Sequence, residues 1–193
     1  MRPVLVLALV LSFVCFTIPA LADFQAGIDA NNRGDYATAL REWRPLAEQG
    51  MPVAQFNLGQ LYARGHGVPQ DYLQARQWWE KAAVRGDVEA AANLGTLYLN
   101  GQGGVQDYQK ALDWFRQAAT RNHAMAFTNL GLMYEHGKGV PQDFILAYKW
   151  FNLGAARGDK LGAELRDALG KRMTPAQIFR AQQGVREWRP AIR

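Results

Sequence analysis

Serine, cysteine and histidine, which most often supply catalytic nucleophiles and their bases, are scarce in this 193-residue sequence. Its one serine and its one cysteine, Ser12 and Cys15, lie in the first 22 residues, so no Ser or Cys nucleophile follows them. The three histidines, His66, His123 and His136, occupy three different positions of the repeat described below, so they form no repeated metal site. We therefore predict no catalytic residues, no metal site and no cofactor.

Three aspartates recur at a fixed interval and could be taken for a carboxylate cluster. Asp71, Asp107 and Asp143 are 36 residues apart, and each stands just before a predicted helix. A carboxylate there accepts hydrogen bonds from the first free amides of the helix. Consecutive aspartates would lie about one helix-packing distance apart, roughly 10 Å. We therefore predict that they begin helices and do no chemistry.

The elements that position these side chains form a 36-residue repeat that occurs three times without gaps. An Asn-Leu-Gly-x-Leu/Met-Tyr motif begins at Asn57, Asn93 and Asn129. A Gly-x-Gly segment follows at Gly65, Gly101 and Gly137, and an Ala-x-x-Trp-Trp/Phe motif at Ala75, Ala111 and Ala147. A fixed period of this length is typical of a solenoid, and the apolar spacing predicts two helices per repeat. The Gly-x-Gly segment lacks the third glycine of a dinucleotide-binding loop.

Glycines and aromatic residues recur at fixed positions within the two predicted helices. Gly59, Gly95 and Gly131 interrupt each first helix, where a glycine costs about 1 kcal/mol relative to alanine. Their recurrence predicts that the second helix crosses close to this point. We predict that the recurring aromatic residues of the second helix pack in the core, as an alternative to a sugar-stacking or choline-type site; they are Trp78, Trp79, Trp114, Phe115, Trp150 and Phe151.

The repeats define the domain organisation. A first unit with a shorter turn, about 23–52, is the predicted N-terminal cap, and the repeats follow at 53–88, 89–124 and 125–159. Residues 160–193 are the predicted C-terminal capping helices. There, a mostly apolar stripe is expected to close the exposed end of the core; it consists of Ile178, Gln182, Val185 and Trp188.

The first 22 residues have the pattern of a secretory signal peptide. An early positive charge precedes an apolar run, Val4 to Ile18, and an Ala-x-Ala ending follows it. The run is shorter than the roughly 20 residues that span a bilayer, and a valine precedes the cysteine where lipoprotein signals have a small residue. We predict cleavage between Ala22 and Asp23, a periplasmic or secreted protein, and no membrane span or lipid anchor thereafter.

Composition and charge limit the kinds of partner that this protein is expected to bind. The chain is 49% hydrophobic and 20% charged, as expected for a folded protein, with a net charge of +5. The basic residues are dispersed, which predicts no nucleic-acid partner. They are enriched at the C-terminal end, where they could meet an anionic envelope surface or an acidic partner, or form a solvated face; they are Arg166, Lys171, Arg172, Arg180, Arg186, Arg189 and Arg193.

The repeated motifs resemble the Sel-one-like repeat (SLR), a 36-residue relative of the tetratricopeptide repeat (TPR), over residues 24–159. The first unit, with Gly34-Asp35-Tyr36 and its short turn, is more similar to a TPR unit. The resemblance implies an all-α fold: a right-handed α/α superhelical solenoid of helix-turn-helix repeats, used as an adaptor or binding scaffold, often in bacterial envelopes.

In related solenoids the first helices line a concave groove, and transferring this pattern predicts the partner-binding residues. They are Phe56, Gln60, Arg64, Thr96, Leu99, Asn100, Thr128, Leu132, Glu135 and His136, with Val53, Glu89 and Met125 in the same rows. Most of these positions vary between repeats while the motif beside them does not, as expected for recognition; drift on a solvated surface is the alternative. Phe56 stands where the other repeats have Ala92 and Thr128, which makes it the candidate hot spot.

The leading hypothesis is an exported, non-catalytic scaffold that binds another protein, either an envelope protein or a toxin or effector. A periplasmic regulator and an antitoxin or immunity protein are examples. One alternative is a cell-wall or β-lactam ligand-binding protein, with or without enzymatic activity, by resemblance to a cysteine-rich branch of the family whose disulfides this sequence lacks. The other is a structural spacer in envelope machinery.

Overall fold

The structure, a computed structural model, describes residues 23–189, which fold into ten helices. Their bounds are α1 (Phe24–Asn32), α2 (Tyr36–Glu48), α3 (Pro52–Arg64), α4 (Tyr72–Val84), α5 (Val88–Asn100), α6 (Tyr108–Thr120), α7 (Ala124–His136), α8 (Phe144–Ala155), α9 (Lys160–Gly170) and α10 (Pro175–Glu187). Each of α1 to α9 packs against its neighbours in sequence. This confirms the predicted all-α solenoid of helix pairs. The predicted signal peptide lies outside the described residues.

The turn within each repeat is built by the glycine and the aspartate that recur in the sequence. Gly65, Gly101 and Gly137 adopt the left-handed conformation directly after α3, α5 and α7, which ends each helix. The carboxylates of Asp71, Asp107 and Asp143 then accept hydrogen bonds from backbone amides in the first turn of α4, α6 and α8. The predicted helix starts are therefore confirmed.

A glutamine just before each aspartate closes the same turn, a role that the sequence did not reveal. The side-chain amides of Gln70, Gln106 and Gln142 donate to backbone carbonyls in the last turn of the preceding helix, at 2.8, 2.7 and 2.7 Å. These carbonyls have no partner within a helix that is ending. The Gln-Asp pair thus caps one helix and begins the next.

The first helix of each repeat, here called the A helix (α1, α3, α5, α7), meets the second, the B helix (α2, α4, α6, α8), at a glycine. A Cβ built on Gly95 would lie 2.5 Å from Cε1 of Phe115. The same close approach occurs between Gly59 and Trp79, Gly131 and Phe151, and Gly27 and Trp43. The predicted close crossing at the helical glycine is confirmed, and it extends to the first unit.

Consecutive repeats are joined by polar contacts around a shared apolar core. The hydroxyls of Tyr62 and Tyr134 accept from Arg44 and Arg116 of the preceding B helix, at 2.9 and 3.1 Å. The equivalent Tyr98 donates to Glu80 at 2.8 Å. The aromatic frame packs as predicted, with Trp78 and Trp114 half-buried and the rest buried; these are Trp79, Phe115, Trp150 and Phe151.

Three residues of the predicted C-terminal stripe pack against the core, Ile178, Val185 and Trp188, and the fourth does not. Helix α9 packs against α8, but α10 folds back onto α8. Ala181 is 1% exposed at the centre of the inner side of α10, whereas Gln182 is exposed, so its place in the predicted stripe is wrong. The reason is the composition of α8: Leu153 is buried where α4 and α6 carry exposed Lys81 and Gln117. Helix α8 is thus apolar on two sides and needs a second cover.

The helices of residues 23–189 have nine to thirteen residues each, short of the apolar length that a bilayer-spanning helix requires.

Candidate partner-binding surface

The A helices leave one side uncovered, opposite the residues that enter the core. In α3, Ala54 and Leu58 are fully buried, and the helix period places Val53, Gln60 and Arg64 on the far side. The equivalent residues complete a surface that we call the A face; it consists of Val53, Gln60, Arg64, Glu89, Thr96, Asn100, Met125, Leu132 and His136.

One end of this surface is apolar with a single acidic residue. The second residues of α3, α5, α7 and α9 recur at 36-residue spacing; we call them the N-terminal row, which consists of Val53, Glu89, Met125 and Leu161. Val53, Met125 and Leu161 are 41%, 53% and 51% exposed. Exposed apolar groups in register are unusual for a solvated surface and typical of an interaction surface.

His123 fixes the acidic residue of the row. Its Nδ1 accepts from the amide of Ala126 at 3.2 Å, so His123 begins α7 where Asp87 and Asp159 begin α5 and α9. The other ring nitrogen, Nε2, then carries the proton and donates to Glu89 at 3.1 Å. This histidine is therefore a helix cap that positions Glu89.

Two cavities flank Glu89 at the turns between repeats. An open one of about 500 Å³ lies between the starts of α5 and α7; its lining includes Glu89, Arg121, His123 and Met125. Beside it, a cavity of about 240 Å³ is lined in part by Asp87. Burial raises the pKa of the Asp87 carboxyl, with a smaller contribution from Glu89. Only the larger cavity is lined by residues of the N-terminal row, Glu89 and Met125.

The opposite end of the A face is polar. Arg64, Asn100 and His136 are exposed at the last turns of α3, α5 and α7. Gln60 and Arg64 also line a cavity of about 130 Å³ with Asn31, Asn57 and His66. Glu135 is half-buried and accepts from Arg172 at 3.0 Å, so a residue of the C-terminal segment already covers it.

Phe56, Ala92 and Thr128 occupy equivalent positions, which face the next repeat. Part of the predicted groove is therefore covered by packing between repeats. Thr128 is 2% exposed and its hydroxyl donates to Asp159, so the prediction that it lines the groove is wrong. Ala92 is equally enclosed at 3% exposure. Phe56, the candidate hot spot, is half-buried and packs against the core of the following repeat. A residue here must fill the gap between two A helices, which is a packing task.

The other predicted residues divide by exposure. Arg64, Asn100 and His136 are exposed, while the half-buried ones are Gln60, Thr96, Leu99, Leu132 and Glu135. Leu99 packs against the central core, and Leu132 packs against the cluster that contains Leu169 and Met173. Leu161 was not predicted from the sequence, although its 36-residue spacing from Met125 is a signal that identifies it.

The A face combines apolar, polar and charged groups. Within residues 23–189, no three His, Asp or Glu side chains come together in a group that could hold a metal ion. The A face offers apolar contacts and the His123-bonded carboxylate of Glu89 at one end, and hydrogen-bonding groups at the other. Such a surface can bind an extended protein segment.

Solved structures resemble this one. A Sel1 repeat protein from Oxalobacter formigenes is 32% identical with a TM-score of 0.68, over 72% of this chain and 58% of that chain. A protective antigen of uropathogenic Escherichia coli strains with an SLR fold is 28% identical with a TM-score of 0.51, over 85% of this chain and 44% of that chain. This chain therefore spans less than two thirds of either protein. No curated protein matches it.

The sequence carries the family signature directly. Residues 52–87, 88–123 and 124–159 each match the Sel1 repeat, and together they make up more than half of the sequence. The three matched segments follow one another without a gap, in agreement with the three helix pairs α3–α4, α5–α6 and α7–α8. The chain belongs to the Sel1 repeat family.

Proposed function

We propose that this protein is an exported, non-catalytic scaffold that binds another protein through its A face. One observation carries the proposal: the N-terminal row presents three exposed apolar side chains and Glu89 at the same position of four alternate helices, α3, α5, α7 and α9. Sel1 repeat proteins generally mediate protein interactions and are typically non-catalytic. The partner class that we expect is an envelope protein or a toxin or effector.

The spacing of the row favours a protein segment over a small ligand. Neighbouring helices pack roughly 10 Å apart, so the row extends along several repeats. A small molecule is usually held in a concave pocket that buries most of its surface. The cavity beside Glu89 is open to solvent on one side, which suits the side chains of a longer partner.

Affinity capture with matched variants tests the binding surface. Val53→Glu together with Met125→Glu places charge on the row, and we expect the captured partner to be lost because each carboxylate would have to be desolvated. Val84→Glu together with Val105→Glu is the control, since these residues are 78% and 87% exposed and lie off the A face. The control pair is expected to retain the partner.

Two outcomes would contradict this proposal. If both variant pairs retained every captured protein, the A face would be a solvated surface and a spacer role would gain support. Saturable labelling by a reporter β-lactam, or saturable muropeptide binding, would support the ligand-binding alternative instead.

Export is tested separately by the mature N terminus. The signal-peptide pattern of residues 1–22 supports cleavage between Ala22 and Asp23. Mass spectrometry of the protein from a periplasmic fraction or from culture medium is expected to give Asp23 as the first residue. An N terminus that retains residues 1–22, in the cytoplasmic fraction alone, would contradict export.

A further inference from the structure

The positive charge of this protein is concentrated in its C-terminal segment, residues 171–189. Residues 23–170 contain fifteen basic and sixteen acidic residues and are nearly neutral. Residues 171–189 contain five basic residues and one acidic residue, Glu187. The whole segment comprises α10 and the short stretches on either side of it. The net charge of the solenoid therefore belongs to one small region.

Part of this charge surrounds an exposed aromatic ring. Helix α10 buries its inner side against α8, whereas Phe179 on its outer side is 56% exposed. The guanidinium carbon of Arg186, two turns along, lies 5.9 Å from the centre of the Phe179 ring. Arg180 and Gln183 are also exposed. We call Phe179, Arg180, Gln183, Arg186 and Glu187 the outer face of α10, which carries two cations and one carboxylate.

The cations of this region are available to a partner. Within residues 23–189, Lys171, Arg180 and Arg186 form no ion pair with a carboxylate, while Arg172 is paired with Glu135. Arg189 donates only to backbone carbonyls, those of Arg186 and Trp188. Charges that the fold itself leaves without a counterion attract an anionic surface.

We infer that the outer face of α10 docks the protein on an anionic phospholipid bilayer. Lysine and arginine side chains are attracted to anionic lipid headgroups, and an aromatic ring beside them inserts at the headgroup level. The outer face is the convex side of a single helix, which fits a flat surface better than it fits a bound peptide. Because α8 holds the inner side of α10, docking needs no unfolding of the helix.

The geometry also separates this face from the proposed partner surface. Helix α10 lies on α8, a B helix, whereas the A face is formed by the A helices. A protein held on a bilayer through α10 would keep its A face free. The inference is thus independent of the proposed function, and either can fail without the other.

Vesicle flotation tests the inference on the chain as it is recovered from cells. The probes are phosphatidylcholine vesicles with or without one third phosphatidylglycerol. We expect binding to the anionic vesicles only, reversed by salt. Each basic residue near such a surface contributes about five-fold in affinity, so Arg180→Gln with Arg186→Gln should lower binding about 25-fold.

Two single substitutions of Phe179 test the ring, and a double substitution elsewhere on the solenoid is the control. Phe179→Ala should weaken binding several-fold and Phe179→Trp should restore it, since an indole ring also suits the interface. Arg41→Gln with Lys110→Gln removes the same charge from side chains that are 70% and 60% exposed on α2 and α6. This control should bind within about two-fold of the unmodified protein if the site is local. All variants have the same N terminus, so any affinity of that terminus for lipid contributes equally to each of them and cancels in the comparison.

Three results would overturn the inference: equal binding to neutral and anionic vesicles, an equal loss in the control pair, or no effect of either α10 variant. Retention of a soluble acidic protein that depends on Arg180 and Arg186, without vesicle binding, would assign the outer face to a protein partner instead. Circular dichroism of each variant confirms that the helices remain.

Discussion

Gly59 and Trp79 are in such close contact that no side chain fits between them. A Cβ built on Gly59 would lie less than 3.0 Å from three atoms of the Trp79 indole ring. The same ring donates from Nε1 to the carbonyl oxygen of Phe56 at 3.1 Å, which fixes its position. The glycine therefore sets the distance between α3 and α4.

Gly59→Ala is expected to destabilise the protein by about 1–3 kcal/mol, because the added methyl group must displace a ring held on both sides. The control is Gly184→Ala in α10. Its Cβ would meet the flexible side chain of Lys149, with Cδ at 3.1 Å as the nearest atom, and alanine is the better helix former by about 1 kcal/mol. Urea unfolding followed by circular dichroism measures both; equal effects would mean that close crossing does not limit stability.

Trp79→Phe is expected to cost far less than Trp79→Ala. Phe115 and Phe151 fill the equivalent position in the next two repeats, so the site accepts a smaller ring. The phenylalanine variant loses the indole hydrogen bond to Phe56, about 0.5–1.5 kcal/mol. The alanine variant leaves a cavity and should cost about 3–5 kcal/mol. Similar losses for both variants in urea unfolding would show that the hydrogen bond, and not volume, holds the ring.

Asp87→Asn is expected to stabilise the protein at neutral pH. Burial raises the pKa of Asp87, so the fold favours its protonated form. That stability is fully present below the unfolded pKa of about 3.9 and is lost as the pH rises through the folded value. The amide of Ala90 donates to the Asp87 carboxylate at 2.8 Å. The side-chain oxygen of an asparagine can accept the same hydrogen bond without carrying a charge.

The pH dependence is the critical measurement for this variant. The advantage of Asp87→Asn in urea unfolding should be present at pH 7 and shrink toward acid pH. Asp87→Ala is the control and should be less stable by about 1 kcal/mol, because it loses the cap. If Asp87→Asn were the less stable chain at pH 7, attraction of the carboxylate to the start of α5 would outweigh its desolvation.

Trp188→Ala is expected to release α10 from α8. The ring of Trp188 lies 5.0 Å from that of Trp150 and 5.8 Å from that of Phe127, centre to centre. Because Trp188 is only half-buried, its removal should cost about 2 kcal/mol, less than for an enclosed ring. Hydrogen exchange should speed up in α10 and leave α1–α6 unchanged.

Phe179→Ala is the control for this change, since its ring points away from α8 and the amides of α10 should stay protected. Faster exchange throughout the solenoid in Trp188→Ala would contradict a local role for α10 and make it part of one cooperative unit.

Much of the fold could be predicted because its signals are local. The aspartates at 71, 107 and 143 and the glycines that follow α3, α5 and α7 act on the nearest turn of backbone, so their types and spacing suffice. Predicting the role of the helical glycines required one further inference. A glycine that recurs inside a helix, where it lowers stability, predicts that another helix lies close to it. Gly95 and Phe115 confirm that neighbour.

The surface was harder to predict because exposure depends on what a neighbouring repeat supplies. Phe56 and Thr128 occupy equivalent positions, yet Thr128 is enclosed against Gly162 of α9 and Asp159, while Phe56 keeps part of its ring in solvent. A helical period distinguishes the core side of a helix from its far side. The helical period does not predict how much of the region between these two sides is covered by the next helix.

By itself, the sequence determined that this is a repeat of helix pairs, which aspartates begin helices, and that the second helix crosses close to the helical glycines. These follow from hydrogen bonding within a few residues and from a period that recurs every 36. Only the tertiary structure decided that α10 lies on α8 and that Leu161 extends the row of Val53 and Met125. Both depend on contacts between segments far apart in the chain, where the volume of each side chain and the cover from its neighbour set what stays exposed.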